Sequence, residues 1–233
     1  MNCCVTECSA AFVPAGQAQC LARDVYGLAV PAGEFTGDFY FTAELGDGLR
    51  FALGDVAGKG LRAAVLMSMI QEELDRSVAT SAPLGKTVDR IHRSFLAQSD
   101  GRRFVSMVMG DLVCCGGLEL INAGHPPPLI RRNDGSIERI GSHGPVAGLL
   151  QRSRWGIARY QLDPGESILL YTDGLPEASN KDGEEFGINR IAESLRRSDG
   201  QSRETVHRTL RDLRHHRAHG AIEDDLTLLS IGI

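Results

Sequence analysis

Residues 36–60 read TGDFYFTAELGDGLRFALGDVAGKG and contain two apolar, β-prone runs on either side of a Gly-Asp-Gly turn. The runs, residues 39–42 and 49–53, predict a β-hairpin, because glycine accepts the positive φ that tight turns require. Antiparallel pairing places the start of the first strand beside the end of the second. Asp38 and Asp55 are therefore expected at the open end of one hairpin.

Two more aspartates lie where apolar runs meet polar turns: Asp173 follows residues 168–171, and Asp224 precedes residues 226–231. If those strands are antiparallel neighbours, their carboxylates meet at one sheet end. Carboxylates buried together must stay protonated or be compensated by cations. The set is all oxygen, without His or Cys in the same motifs, which favours Mg²⁺ or Mn²⁺ over Zn²⁺. Four carboxylates exceed the needs of one ion and favour two ions bridged by one aspartate.

The remaining pattern alternates short strands with paired amphipathic helices, which predicts an α+β fold with sheet in the middle and helices outside. No repeat or long linker divides the chain, so residues 1–233 are expected to form one domain, with residues 1–22 as an irregular N-terminal segment. The expected helices are 60–76, 83–98, 188–195 and 204–213. The expected strands, besides the hairpin, are 24–30, 104–112, 118–122, 128–132, 137–140, 166–171 and 226–231.

Composition excludes several classes of function. The 233 residues carry a formal charge of −5, and no region concentrates arginine enough to indicate nucleic-acid binding. The most basic stretch, 203–217, is interpreted as the solvated outer face of a helix rather than as a partner or phosphate surface. The first twenty residues lack Lys and Arg, and no run approaches the roughly 20 apolar residues of a membrane span, so a cytoplasmic protein is expected. The six cysteines lack metal-site spacing and are expected to be reduced thiols.

Five sequence blocks, in this order and at this spacing, resemble the bacterial metal-dependent serine/threonine phosphatases of the PPM group, in the RsbU and SpoIIE branch. The blocks are GDFY at 37–40, GDVAGKG at 54–60 with AAVLM at 63–67, NAGHPP at 122–127, YTDGLPEA at 171–178 and DDLTLL at 224–229.

The resemblance implies a four-layer α-β-β-α sandwich, with two central antiparallel sheets flanked by helix pairs and two Mn²⁺ or Mg²⁺ ions at one end. By motif position, Asp55 would bridge both ions and the backbone carbonyl of Val56 would help to hold one. Asp173 and Asp224 would hold the other ion. Asp38 would lie against the ion on the Val56 side, directly or through water.

The resemblance also implies the chemistry: a water activated by two ions attacks phosphorus, and no protein nucleophile is required. Asp225 is then expected to be a turn or supporting residue beside the ligands, and His125 to have a structural role that orders its loop. The implied substrate is a phosphoserine or phosphothreonine on a STAS-type anti-sigma-factor antagonist. The protein is expected to be either constitutively active or controlled by a regulatory partner that binds the helices 60–76 and 83–98.

Two other functions stay open at this point. One is a catalytically silent partner-binding module of the same fold, and the other is a hydrolase of small phosphate esters. Taken singly, Asp38 or Asp173 could also be a strand-end turn former that binds backbone amides. A nucleotide-binding loop at 54–60 is excluded by spacing, because only three residues separate Gly54 from Gly58-Lys59 and no Ser or Thr follows.

Overall fold

The computed structural model describes residues 24–33, 36–58, 61–98, 103–217 and 224–233. Within these ranges the apolar runs form ten strands and the amphipathic stretches form four helices. The strands are β1 (Asp24–Val30), β2 (Asp38–Leu45), β3 (Gly48–Val56), β4 (Val105–Leu112), β5 (Gly117–Ala123), β6 (Leu129–Arg131), β7 (Ile137–Arg139), β8 (Ala158–Gln161), β9 (Ser167–Tyr171) and β10 (Leu226–Gly232). The helices are α1 (Leu61–Ala79), α2 (Leu84–Gln98), α3 (Gly187–Arg196) and α4 (Ser202–Arg217).

The strands form two antiparallel sheets of five strands each. The first sheet has the order β1-β10-β9-β6-β7, and the second has the order β2-β3-β4-β5-β8. The hairpin of the opening stretch is β2-β3, as predicted. The strands β9 and β10 are direct antiparallel neighbours, which is the condition under which Asp173 and Asp224 were expected to meet. The α+β class and the two central antiparallel sheets are therefore confirmed.

Three apolar clusters define the layers of the sandwich. One lies between the second sheet and the pair α1 and α2, one lies between the two sheets, and one lies between the first sheet and the pair α3 and α4. Because side chains alternate along a strand, β3 sends Phe51 and Leu53 towards the other sheet and Ala52 and Val56 towards the helices. The same alternation places Asp55 on the face between the sheets.

The two helices of the first pair are joined by a tight turn. Ser81 has a positive φ of 46°, and Ala82 donates its N–H to the Ser77 carbonyl at 2.8 Å. Pro83 precedes the first residue of α2, where its missing N–H costs nothing. This short connection makes the two helices antiparallel neighbours, as the sequence predicted.

One strand was missed by the sequence analysis. The short edge strand β8 has an alternating exposed and half-exposed pattern and pairs only with β5, so no apolar run marks it. The single domain over 1–233 stays a prediction, and its expected irregular segment 1–22 lies outside the described residues. Of the six cysteines, Cys114 and Cys115 are described, and neither of them forms a disulfide. Among the described residues, the helices are too short or too polar to cross a membrane.

Candidate functional site

Asp38 and Asp55 face each other at the open end of the hairpin. Asp38 is the first residue of β2, Asp55 is the last but one of β3, and the two are direct cross-strand partners. Opposite residues of an antiparallel pair project to the same face, with Cβ atoms about 5 Å apart. The two carboxylates predicted to be neighbours are therefore brought together on the inner face of the second sheet.

Thr172 joins this pair to the other sheet. Its hydroxyl donates a hydrogen bond of 2.7 Å to Asp38 Oδ2 and accepts the backbone N–H of Thr227 at 2.9 Å. The backbone N–H of Thr172 also donates to the Thr227 carbonyl at 3.0 Å, which continues the β9-β10 ladder beyond its last paired strand residue. One hydroxyl thus fixes the distance between the two sheets at the carboxylate end.

Asp38 is a buried carboxyl that lacks a compensating positive charge. Its side chain is 6% exposed, and no basic side chain of the described residues contributes to its electrostatic environment. Burial raises the pKa of Asp38 to about 7, and the negative charges of Asp55 and Asp225 add to the rise, while the hydrogen bond from Thr172 opposes it. A cation bound beside Asp38 would remove much of this cost.

Gly37 leaves room for two oxygen donors that lie side by side. A Cβ atom at this position would come within 2.6 Å of Asp55 Oδ1 and 2.8 Å of the Val56 carbonyl oxygen, so no larger residue fits. The Gly37 carbonyl in turn accepts the Val56 N–H at 3.0 Å and fixes the two segments against each other. A carboxylate and a backbone carbonyl in one place are the ligands that hard divalent cations prefer.

Asp173 and Asp224 form the second acidic pair. Asp173 follows the last residue of β9 by one position after Thr172, and Asp224 lies two positions before the first residue of β10. Burial raises the pKa of Asp173, and the negative charge of Asp224 raises it further. Gly174 permits the close approach of the two segments, because a Cβ atom there would lie 2.0 Å from the Asp225 carbonyl oxygen. The predicted meeting of these two carboxylates at one end of the first sheet is therefore present.

Glu177 is an acidic neighbour that the sequence analysis missed. Its pKa is raised by burial and then by the charges of Asp173, Glu185 and Asp224. Its backbone N–H donates to the Asp173 carbonyl at 3.0 Å, so the spacing of four residues in Asp-Gly-Leu-Pro-Glu was the available signal.

Asp225 organises the loop that leads into β2. Its two carboxylate oxygens accept the backbone N–H groups of Ala32 at 2.8 Å and Gly37 at 3.1 Å. These bonds tie the approach to Asp38 onto the segment that carries Asp224. They are the contacts of a residue that supports a site from behind, which is the role predicted for Asp225.

Buried His125 and half-buried Ser106 form a pair next to Asp55. Ser106 is the cross-strand partner of Asp55, and its hydroxyl lies 2.8 Å from His125 Nδ1. Asn122 fixes the backbone of His125 by accepting its N–H at 2.8 Å and donating to its carbonyl at 3.1 Å. The pair was not predicted, although the NAGHPP block indicated that His125 orders its loop.

A serine beside a histidine invites comparison with a nucleophile and its general base. His125 is only 5% exposed, and burial lowers the pKa of its imidazole to about 3. A base with that pKa accepts a proton poorly near neutral pH. The contact therefore orders the floor of the site and does not provide a nucleophile activated by a general base.

The donor set fits divalent cations with a largely aqueous coordination shell. Within the described part of the chain, no three His, Cys, Asp or Glu side chains converge closely enough to enclose a metal ion. The carboxylates instead form two pairs, Asp38 with Asp55 and Asp173 with Asp224, on facing sheets. Mg²⁺ commonly keeps several waters and binds through only one or two carboxylates, so this arrangement suits it.

The comparisons with known proteins agree with this architecture. The model of the stage II sporulation protein E (SpoIIE) family matches residues 46–233. The chain belongs to the SpoIIE family, and the resemblance to the RsbU and SpoIIE branch is confirmed.

Two curated relatives are similar over most of the chain. The alignment with the protein IcfG of Synechocystis sp. is 231 residues long and shows 29% identity. The match covers 86% of this chain and 36% of that protein. The phosphoserine phosphatase RsbU of Bacillus subtilis is 25% identical over 213 residues, which cover 89% of this chain and 62% of that protein. The chain thus spans less than two thirds of the length of either relative.

Solved structures share the fold. The RsbU and RsbW domains of Rv1364c from Mycobacterium tuberculosis superpose with a TM-score of 0.77 and 27% identity, over 90% of this chain and 59% of that one. The catalytic domain of the serine/threonine phosphatase PstP, solved in complex with two manganese ions, has a TM-score of 0.64 at 14% identity, over 91% of this chain and 99% of that one. The four-layer sandwich expected from the sequence is therefore confirmed.

Proposed function

We propose that this chain is a metal-dependent protein serine/threonine phosphatase that hydrolyses phosphoserine or phosphothreonine on a STAS-type anti-sigma-factor antagonist. The observation that carries the proposal is that two acidic pairs lie on facing sheets. Thr172, which directly precedes Asp173, connects the sheets by its hydrogen bond to Asp38. The similarity to RsbU, a phosphoserine phosphatase, supports the choice of substrate.

Two Mn²⁺ or Mg²⁺ ions are the cofactors that this site would hold. Asp55 would bridge them, the Val56 carbonyl would hold one together with Asp38, and Asp173 with Asp224 would hold the other. When bound, the ions supply an activated water and neutralise the phosphoryl oxygens. The residue types, all oxygen donors at strand ends, and the space left by Gly37 support this assignment.

The chain's own residues prepare that end of the molecule. The Thr172 hydroxyl orients the Asp38 carboxyl, and Asp225 holds the loop before it through two backbone N–H groups. The partly buried contact between Ser106 and His125 fixes the strand opposite Asp55. These fixed positions keep the acidic side chains close together, which an isolated set of carboxylates would avoid by repulsion.

The experiment is a phosphate-release assay with Mn²⁺, using p-nitrophenyl phosphate and a phosphorylated STAS-type antagonist. We expect turnover of both substrates by the wild type and loss of turnover in Asp55→Ala and Asp173→Ala, with unchanged circular dichroism. Binding of the phosphoprotein without metal-dependent turnover of either substrate would instead identify a silent partner-binding module. A strong preference for the small ester would identify a small-molecule hydrolase.

We also propose a cytoplasmic location and a regulatory partner that binds the outer faces of α1 and α2. Glu72, Asp75 and Arg90 are exposed on these helices. Charge reversal at these three positions is expected to change activity or a complex with the partner. Unaltered activity and complexes in all three variants would contradict regulation through this surface.

A further inference from the structure

The loop between β7 and β8 presents apolar side chains next to the candidate site. Among the described residues, five large apolar side chains are exposed, and three of them lie in this loop: Leu149 at 42%, Leu150 at 52% and Ile157 at 39%. Arg152 and Arg154 are exposed between them. These five residues are called the 149–157 patch. Scattered single leucines are ordinary on a surface, whereas a cluster indicates an interaction site.

The inner side of the same loop is firmly anchored. The Trp155 indole N–H donates to the Pro145 carbonyl at 2.7 Å, and its ring packs edge-on against His92 of α2, with centroids 5.1 Å apart. The Gly148 N–H donates to His92 Nδ1 at 2.9 Å, and a Cβ atom on Gly148 would come within 2.6 Å of Phe95. The patch therefore projects from a fixed backbone, and a partner that binds it would lose little entropy to loop ordering.

The loop enters the patch at the carboxylate end of the second sheet. Ala147 exchanges two backbone hydrogen bonds of 2.9 Å with Val105, and Val105 is the cross-strand partner of Val56. Two strand spacings of about 4.8 Å place Ala147 roughly 10 Å from Val56, the neighbour of Asp55. A protein complex of standard size covers about 800 Å² on each partner, a footprint roughly 30 Å across. A protein bound with its phosphorylated residue at Asp55 would therefore cover the patch.

The charge of the patch specifies the chemistry of its partner. Residues 140–158 contain no Asp or Glu. In the described part of the chain, Arg152 and Arg154 form no ion pair, whereas the nearby Arg159 pairs with Glu119 at 2.8 Å. Unpaired arginines beside exposed leucines have the composition of an interface hot spot. They complement a surface that is both apolar and acidic.

We propose that the 149–157 patch is the docking surface for the folded phosphoprotein substrate and contacts an apolar, acidic surface beside its phosphorylated residue. This inference rests on the proposed function and deepens it. The carboxylate end receives the phosphoryl group, and the patch selects the protein that carries it. A small phosphate ester does not reach the patch, so its turnover does not depend on the patch residues.

The test compares two substrates in two patch variants, Leu149→Ser/Leu150→Ser and Arg152→Glu/Arg154→Glu. The substrates are p-nitrophenyl phosphate and the STAS-type antagonists of the same organism, each phosphorylated by its kinase. We expect kcat/KM on the phosphoprotein to fall roughly 10- to 100-fold, the effect of one or two interface hot spots, mainly through KM. Turnover of p-nitrophenyl phosphate should stay within about twofold of the wild type, because the patch does not touch the reacting atoms.

Val113→Ser and Arg214→Glu are matched controls. Val113 is 40% exposed at the opposite end of the sandwich, and Arg214 is exposed on α4. Both control variants should keep wild-type kinetics on both substrates. Phosphoprotein kinetics within twofold of wild type in both patch variants would overturn the docking surface while leaving the proposed function intact. A change of oligomeric state in the patch variants would also overturn it, since the patch would then join copies of this chain.

If the wild type hydrolyses neither substrate, the proposed function fails and the patch is tested by binding alone. Biolayer interferometry then measures Kd for the phosphorylated antagonist. Weaker binding by the Leu149→Ser/Leu150→Ser variant, again by about 10-fold or more, supports docking at the patch. Equal Kd values for wild type and variant overturn it.

Discussion

The two ends of the sandwich differ in how the charge of their carboxylates is compensated. At the end away from the candidate site, Arg50 is 1% exposed and holds both oxygens of Asp111, through Nε at 2.7 Å and Nη2 at 2.6 Å. At the candidate site, Asp38 is more deeply buried than Asp111, at 6% against 22% exposed, but it has no such arginine among the described residues, and burial raises its pKa to about 7.

A second network repeats the pattern at the far end. Arg132 pairs with Glu138 and with Glu166, whose carboxylate also accepts the backbone N–H groups of Asn133 and Asp163. Where the fold needs stability, a buried carboxylate is satisfied from within the chain. Where a buried carboxylate has no basic partner among the described residues, as at Asp38, a bound cation would compensate its charge, and this contrast separates a structural end from a functional one.

The largest expected effect comes from removing charge at the functional end. Asp55→Asn should lower metal-dependent kcat by about 10³-fold or more, equivalent to roughly 4 kcal/mol, because a neutral amide with one oxygen would replace the carboxylate proposed to bridge two cations. Thermal unfolding should stay close to wild type. Steady-state phosphate release measures the effect, with Glu44→Gln on the same hairpin as a control. Residual activity within tenfold of wild type would contradict the assignment of Asp55.

The structural end should give the converse result. Asp111→Asn leaves the Arg50 guanidinium buried without its carboxylate, so the free energy of unfolding should fall by about 3 kcal/mol. Urea denaturation measures this loss, and kcat per folded molecule should not change. A double substitution, Arg50→Met/Asp111→Leu, should recover most of the stability, because no buried charge remains unpaired. A loss of kcat in the folded Asp111→Asn variant would contradict a purely structural role for this end of the sandwich.

A smaller effect of opposite sign is expected at Asp38. In EDTA, Asp38→Asn should raise the free energy of unfolding at pH 8 by about 1 to 3 kcal/mol, since the wild-type carboxyl is ionised there against the cost of burial. Added Mn²⁺ should raise the Tm of the wild type and not that of the variant. Differential scanning calorimetry with and without Mn²⁺ measures both shifts. Destabilisation of the metal-free variant would show that Asp38 is a structural turn former.

The smallest effect concerns the pH dependence at the far end. Burial alone would raise the pKa of Glu166, but hydrogen bonds from Asp163, Arg132 and Asn133 outweigh it, and the net pKa is lowered below 4.5. The stabilisation is therefore present above pH 4.5 and is lost as pH falls through the folded-state pKa. Glu166→Gln should cost about 1 kcal/mol at pH 7, and its difference from wild type should shrink at pH 3. Urea midpoints at the two pH values test this, and an equal difference at both would contradict it.

Most of the fold could be predicted from the sequence, because its signals are local. Apolar alternation and glycine turns placed nine of the ten strands described, and helical periodicity placed the four helices described. The bounds moved by a few residues: α1 continues to Ala79, and α4 runs from Ser202 to Arg217. The edge strand β8 was not predicted, because an exposed strand with one neighbour has few apolar residues to mark it.

The parts of the site that could be predicted are the aspartates at the ends of paired strands. The hairpin brought Asp38 to Asp55, and the ends of β9 and β10 brought Asp173 to Asp224. Thr172 and Ser106 were missed, since each acts through a partner distant in sequence, which local patterns do not encode. Glu177 was missed although its spacing from Asp173 was a local signal, because its burial beside Asp224 depends on the tertiary structure.

The sequence by itself determined the elements, their antiparallel hairpin and the motif order that identifies the family, because these depend on neighbours along the chain. Tertiary structure alone decided which carboxylates are buried and which receive an arginine. Asp38 on β2 and Asp111 on β4 are the same residue type in the same sheet, yet only packing against Thr172 or Arg50 separates them. The cost of a buried charge depends on surroundings assembled from distant segments, and that is the physical reason for the division.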